Sequence, residues 1–346
     1  MKINGHIIGP DHPPYVIAEL SANHNGDIAR AFEIMVAAKQ AGANAIKIQT
    51  YRPDTITLDH DSPEFQIEGT LWDGRSLYEL YDWAHTPWDW HGQLFDKARE
   101  LDITLFSSPF DHTAVDLLEE LGAPAYKIAS FELVDLPLIR RVAATGKPMI
   151  MSTGMADEVE IAEAVDTARR AGAKELVLLH CVSGYPAPAS DYNLATLVDM
   201  ASRFDVMTGL SDHTIDNAAS VSAVALGAVM IEKHVTLDRN GGGPDDSFSL
   251  EPIELAQLVT GARTAWEARG KVDYGLKSSE QGNIQFRRSL YVVEDVPSGA
   301  VLTSDNVRSI RPGFGLAPKH YDDVLGRKTK AAIARGTALS WDLLEA

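Results

Sequence analysis

The chain has 346 residues, 45% hydrophobic and 23% charged, with 31 basic against 49 acidic side chains and a formal charge of −18. That length carries one large domain and a small one around a well-buried core, and that charge argues against nonspecific binding to nucleic acid or anionic membranes. Cys181 is the single cysteine, which excludes an intrachain disulfide and a thiolate metal cluster and fits a reducing, cytoplasmic setting.

The first residues, MKINGHIIGPDHPPY, lack the apolar core of a signal peptide, and no run approaches the roughly 20 apolar residues of a membrane span. β-rich runs then recur: YVIAEL (15–20), AIKIQTY (45–51), TLFSSPF (104–110), AYKIAS (125–130), PMIMSTG (148–154), LVLLHCVS (176–183), VMTGLSD (206–212) and VMIEKHVTL (229–237). Amphipathic helical patterns lie between them, such as IARAFEIMVAAKQAG after the first run and DEVEIAEAVDTARRAG after the fifth. Gly42, Gly122, Gly172 and Gly227 fall where such helices should end, just before the next run. Strand then helix, repeated around eight runs, predicts a (β/α)8 TIM barrel. A doubly wound open sheet competes, but no GxGxxG or P-loop follows the first run.

One long segment, from Arg52 to about Trp88, interrupts the rhythm after the second run, and Trp72, Trp83, Trp88 and Trp90 lie in or beside it among many acids. Local packing accounts for much of such a segment, and a lid or an interface for the rest. The rhythm changes again after Gly270. The barrel is expected over 1–272, a polar linker over 273–286, and a small β-rich module over 287–346. A unit of roughly 60 residues is marginal alone and should dock on something.

Polar residues cluster where the runs end: Glu19, Lys47, Gln49, Ser107, Ser108, Lys127, Ser130, Ser152, Ser183, Ser211, His213, Glu232 and His234. In a barrel those ends form the catalytic face. His213 and His234 stand at matching places in successive strand–helix units, so their imidazoles can converge on one divalent ion. Neutral imidazole suits Mn²⁺, Fe²⁺, Co²⁺ or Zn²⁺, and two protein ligands leave positions for water and substrate. His24, in SANHNG, is a weaker candidate on the same face.

Lys47 and Lys127 sit on β-runs among apolar neighbours, where an unpaired ammonium is costly. A phosphate or carboxylate substrate would supply the anion; a structural ion pair to Glu19 or Glu132 is the plainer explanation. A Schiff-base lysine is a third reading and would make the protein an aldolase without need of metal. Ser130, Ser152 and Ser211 and the amides near Gly154 can bind phosphate oxygens, and Gln49 and Ser108 face the same opening. Glu19 and Glu132 are candidates for proton transfer. Asp245, in GGGPDDSFSLEP, can contact a polyol, and Arg311, in RPGFG, sits in a turn-forming motif that would hold its guanidinium at a loop tip. A non-catalytic sugar- or ice-binding protein is suggested only by the tail.

IAELSANHNG, KIQTY, FSSPFD, YKIAS, STGM, GLSDHT, IEKHVTLD and the RPG of the tail resemble the sialic acid synthases, over almost the whole chain. Further motifs, among them YPAP, GGPD-SFSLEP, QFRRSLYVV and RSIRPGFGL, resemble one branch of that family in particular. The resemblance implies a TIM barrel with a C-terminal antifreeze-like (SAF) module, and condensation of phosphoenolpyruvate with an N-acetylated amino-sugar aldehyde. It implies that His213 and His234 hold a divalent metal, Mn²⁺ foremost, with Mg²⁺ or Co²⁺ as alternatives. It places Lys47, Lys127, Ser130, Ser152 and Ser211 on phosphoenolpyruvate, and Glu19, Glu132, Tyr185 and Asp245 around sugar and metal. It further implies a homodimer in which the SAF module of one subunit covers its partner's barrel and Arg311 binds the N-acetyl group. IDNAAS after SDHT, and the acid at Asp246, depart from the family pattern and bear on which sugar is used.

Overall fold

Strands covered on both faces need apolar residues at both parities, and the β-rich runs have them. In the computed structural model, which describes residues 1–345, a hairpin of β1 (Lys2–Ile3) and β2 (His6–Ile7) precedes eight parallel strands. These are β3 (Tyr15–Glu19), β4 (Ala45–Thr50), β5 (Thr104–Pro109), β6 (Tyr126–Ile128), β7 (Met149–Ser152), β8 (Leu176–Cys181), β9 (Met207–Asp212) and β10 (Met230–His234). They close in the order β10-β3-β4-β5-β6-β7-β8-β9, which makes the TIM barrel. The helices between and after the strands are α1 (Ile28–Ala41), α2 (Pro53–Ile56), α3 (Leu77–Ala84), α4 (His91–Glu100), α5 (His112–Glu120), α6 (Leu136–Ala143), α7 (Glu158–Arg170), α8 (Ala195–Phe204), α9 (Ala218–Ala225) and α10 (Pro252–Arg269).

Local chemistry sets the helix ends. Asp27, Asp111 and Asp157 each cap a helix by accepting from backbone amides of the first turn. Gly42 ends α1 with φ of 90°, a conformation costly for a residue with a Cβ. The segment after β4 carries two short helices, α2 and α3, rather than a featureless loop.

Alternation along the strands divides the core in two. Val16, Ala18, Ile46, Ile48, Leu178 and Ile231 belong to the layer between barrel and helices, with Ile34, Met35, Leu118 and Leu258 facing them. Tyr15, Ile17, Ala45, Phe106, Ile150 and Met230 form a separate cluster inside the barrel. Ile3 and Ile8 join that inner cluster, so the N-terminal hairpin plugs the barrel beneath its strands. Sequence reading left this hairpin unassigned.

The chain divides into two compact units, Met1–Gly270 and Lys271–Ala346. In the second, 3-10 turns run from Ser278 to Phe286, and β11 (Ser289–Val292) pairs antiparallel with β12 (Val307–Ile310). α11 (Tyr321–Val324) follows. This unit has its own small core of Leu290, Val292, Leu302, Val307, Val324 and Leu339. No helix among the described residues is long and apolar enough to cross a membrane.

Candidate active site

Period-two alternation carries the lumen from an apolar floor into a charged layer. Two residues beyond Ile17 lies Glu19; two beyond Ala45, Lys47; two beyond Ala125, Lys127; and two beyond Met230, Glu232. All four are buried. Lys47 Nζ is 2.8 Å from Glu19 Oε2 and 3.5 Å from Glu232 Oε1, while Lys127 Nζ is 3.0 Å from Glu232 Oε1. β6 and β10 are not neighbours in the barrel, so the Lys127–Glu232 pair spans the lumen. Lys47 thus finds Glu19, one of the partners expected from sequence, but Lys127 finds Glu232 rather than Glu132.

Burial pushes the Glu19 carboxyl up to about 7, against the pull of Lys47 and with the push of Glu232. Burial would raise Glu232 too, but Lys127 and Lys47 hold it below the usual carboxylate range. Lys127 is lowered by burial, with Glu232 opposing. Lys47 is equally buried, yet Glu19 and Glu232 together keep it above its ordinary value.

Hydroxyls surround this layer. Lys47 Nζ donates to Ser108 Oγ at 3.3 Å, Ser211 Oγ donates to Glu232 Oε1 at 3.3 Å, and the Gly154 amide donates to Ser130 Oγ at 3.2 Å. Ser152 Oγ and Glu232 Oε2 are buried without a hydrogen-bond partner. Unpaired buried polar atoms are uncommon: Ser152 Oγ is a hydroxyl free to donate, whereas Glu232 Oε2, an ionised carboxylate oxygen, can only accept.

One layer up, Gln49 Nε2 donates to Glu19 Oε1 at 3.2 Å and to Ser21 Oγ at 3.1 Å, and Ser21 Oγ donates to Asp245 Oδ2 at 2.5 Å. His213 and His234 lie here, with ring centres 5.4 Å apart. A carbonyl can only accept, so the 2.8 Å contact of His213 Nδ1 with Val182 O puts a proton on Nδ1 and makes Nε2 the nitrogen with a lone pair when the ring is neutral. Burial lowers this imidazole, but Cys181 and the Val182 carbonyl together hold it above its ordinary value. His234 Nδ1 is buried without a hydrogen-bond partner and lies 3.7 Å from Asp245 Oδ2. Burial, then the charges of His213 and the lysines, hold His234 well below the usual imidazole range, so it is neutral.

These donors fit a divalent ion. An imidazole nitrogen about 2.1 Å from a metal puts the ring centre about 3.3 Å away, so two rings on one ion stand roughly 5 Å apart, as these do. Among the described residues no three or more His, Cys, Asp or Glu form a metal-binding group, so the protein would supply two imidazoles and leave the other positions open. His24 does not join them. Its Nδ1 accepts from the Gly26 amide at 3.1 Å, and its ring packs edge-on to Trp90.

Tyr185 lies over His213, ring centres 4.4 Å apart, and Phe248 packs against both Tyr185 and His234. Glu132, just past β6, makes no ion pair with either lysine, and its Oε2 is buried without a partner. Burial pushes its carboxyl up to about 7. Ser21, Gln49, Ser130, Glu132, His234 and Asp245 line the polar side of a cavity of about 240 Å³ at this end of the barrel. Arg311 belongs to the second unit, where it is exposed directly after β12 on a turn pinned by Ser289 Oγ donating to Pro312 O at 2.7 Å.

Sequence reading missed three contributors. Glu232 was visible as a strand-end acid, but its part became legible only through its parity with His234. Ser21 bridges Gln49 and Asp245, and no sequence signal marked it. Lys233 points to the opposite face from Glu232; its Nζ donates to Asp212 Oδ2 at 2.9 Å and Thr214 O at 2.7 Å, fixing the turn that carries His213.

Comparison with known proteins adds to this geometry. Residues 34–274 match the NeuB family, and residues 287–345 match the SAF domain. A pseudaminic acid synthase from Helicobacter pylori is 44% identical over 96% of this chain and 98% of that protein. An N,N'-diacetyllegionaminic acid synthase from Legionella pneumophila is 34% identical over 100% of this chain and 99% of that protein. Among solved structures, the N-acetylneuraminic acid synthetase of Leptospira borgpetersenii superposes with a TM-score of 0.73 at 32% identity, covering 83% of this chain and 95% of the other.

Proposed function

Because the chain belongs to the NeuB family and carries a C-terminal SAF domain, we propose that it is a pseudaminic acid synthase. As such it is a transferase that condenses phosphoenolpyruvate with 2,4-diacetamido-2,4,6-trideoxy-L-altropyranose, giving pseudaminic acid and phosphate. The observation that carries the reading is the buried quartet of Lys47, Lys127, Glu19 and Glu232 beneath two convergent imidazoles. The greater identity to a pseudaminic than to a legionaminic acid synthase favours this sugar over its relatives.

In this reading Lys47 and Lys127 hold the phosphate dianion of phosphoenolpyruvate, with Ser130, Ser152 and Ser211 supplying hydroxyls. Ser108 steadies Lys47 from the side. Asp245, positioned by Ser21, and Tyr185 orient the open-chain sugar so that its C1 aldehyde faces C3 of phosphoenolpyruvate. C3 attacks C1, the new C–C bond forms, and positive charge develops at C2. Glu19, beside Lys47 and with its carboxyl pushed up to about 7, favours that charge in its ionised form. Water adds to C2, losing a proton to Glu132, whose carboxyl near neutral pH can accept it, while the former aldehyde oxygen, left anionic by the C–C bond, takes up one proton in exchange and becomes a hydroxyl. The tetrahedral C2 centre then breaks its C–O bond to the bridging oxygen, its hydroxyl becomes the C2 carbonyl, and phosphate leaves carrying off the proton released. His213 and His234 would hold a divalent ion, Mn²⁺ foremost, which when bound polarises the sugar's aldehyde oxygen.

The proposed assembly is a homodimer in which one protomer's SAF domain covers its partner's barrel and Arg311 reaches the sugar's N-acetyl group. A cytoplasmic setting accords with this substrate. The test is release of phosphate from phosphoenolpyruvate against a panel of 2-acetamido and 2,4-diacetamido hexoses. Turnover with the 2,4-diacetamido-6-deoxy sugar is expected; turnover with N-acetylmannosamine alone would overturn the assignment.

A further inference from the structure

The cavity above the barrel has two unlike sides. Its polar side carries the acids, hydroxyls and His234 described above. The other side is mostly apolar: Ile56, Leu80, Ala84 and Phe110 line it together with the rings of Tyr51 and Tyr81, whose hydroxyls are its polar atoms. Most of these come from the long segment that interrupts the barrel rhythm, Ile56 from the end of α2 and Leu80, Tyr81 and Ala84 from one stretch of α3. The aromatic rings brace each other. Tyr51 meets Tyr81 edge-on with centres 5.8 Å apart and Phe110 with centres 5.1 Å apart. The same segment is tied to the loop after β10, where Trp72 Nε1 donates to Pro244 O at 3.0 Å. The apolar side is therefore a built wall and not a collection of loose side chains.

Taking the substrate as the diacetamido sugar proposed above, the aldehyde end is committed to the polar side, next to the imidazoles and Asp245. The sugar's terminal methyl, the carbon farthest from the aldehyde, can leave water against this wall. We infer that this wall is the element that selects a 6-deoxy sugar, holding the C6 methyl against Ile56, Leu80 and Ala84. A C6 hydroxyl placed against Ile56, Leu80 and Ala84 would lose its water, and none of these three side chains can replace it. An apolar pocket discriminates against an added hydroxyl by up to about 100-fold.

The experiment measures kcat/KM of the full-length enzyme for the 6-deoxy sugar and for its 6-hydroxy counterpart, both carrying the two acetamido groups, with saturating phosphoenolpyruvate. The wild type should prefer the 6-deoxy sugar by about 30-fold or more. Ile56→Thr and Ala84→Ser, two small changes at half-buried positions, should each narrow that preference by about threefold to tenfold. The KM for phosphoenolpyruvate should stay within about twofold of wild type, since neither side chain is on the polar side. Equal use of both diacetamido sugars by the wild type would overturn the inference and leave the proposed function standing. So would an unchanged preference in both variants. Turnover confined to N-acetylmannosamine, a 6-hydroxy sugar, would overturn both.

Discussion

Replacing Glu232 by Gln should weaken the free enzyme and, in the same stroke, make it respond more strongly to phosphoenolpyruvate. Glu232 is 4% exposed, and its Oε1 takes Lys127 at 3.0 Å and Lys47 at 3.5 Å. At an effective dielectric of about 20, charges this close attract by about 5 kcal/mol per pair. The amide removes that attraction while the burial of both ammonium groups remains. Lys47 keeps Glu19, but Lys127 has no other carboxylate within ion-pair distance. Lys127 can escape only by losing its proton, which caps the penalty at about 5 kcal/mol at neutral pH. Breaking one partner of a buried pair usually costs 3–5 kcal/mol, in agreement. Tm should fall by roughly 6–20 °C, at about 2–4 °C per kcal/mol. The dianionic phosphate then supplies the missing charge without competing with Glu232 for the lysines. Thermal melts with and without phosphoenolpyruvate should therefore show a larger ligand-induced rise in Glu232→Gln than in wild type. An unchanged Tm, or equal rises in the two proteins, would refute the view that a phosphate takes over the lysines from Glu232.

Three further outcomes follow from the same geometry. Asp246 Oδ2 accepts from Asn25 Nδ2 at 2.9 Å and the Gly243 amide at 2.8 Å, while Oδ1 accepts from Thr236 and, at 3.4 Å, from Arg30. Asp246→Ala leaves Thr236 buried and the other three donors half-buried without their acceptor, and should cost about 2–4 kcal/mol, with faster amide exchange over 238–250; unchanged exchange there would show that the loop does not depend on Asp246. Glu132, raised from 4.5 to about 7 chiefly by burial, binds its proton more tightly folded than unfolded, so it opposes folding increasingly as pH rises from 4.5 to 7. Glu132→Gln should match wild-type stability near pH 4.5 and exceed it by about 3 kcal/mol at pH 8, read from melts across that range; a pH-independent difference would contradict the raised carboxyl. His234→Ala should lose bound divalent ion and activity together, measured by metal analysis after dialysis, and full activity without added metal would remove the metal from the account.

The barrel was legible because its strands are covered on both faces: runs such as AIKIQTY and LVLLHCVS stand out from their surroundings without any need to judge register. Strand ends fell within a few residues of the polar residues that mark them, as at Glu19 and His234. What sequence could not give was pairing across the lumen. Lys127 and Glu232 are 105 residues apart and sit on strands that do not touch, so only closure of the barrel joins them. The segment after β4 was hard to read for a different reason. Its helices are short, and its side chains serve a cavity wall and not a continuous core, so no periodicity marks them. Asp246, read as a departure from the family pattern, is buried at the centre of the hydrogen bonds that shape the loop carrying Asp245.

The central claim is that the strand-end site condenses phosphoenolpyruvate by breaking its C–O bond. Phosphoenolpyruvate labelled with heavy oxygen at the bridging position, incubated with the enzyme and the 2,4-diacetamido-6-deoxy sugar, tests it most directly. One phosphate should be released per sugar acid formed, with the label in the phosphate. Label retained in the sugar acid, or sugar acid formed from pyruvate without phosphate release, would contradict it.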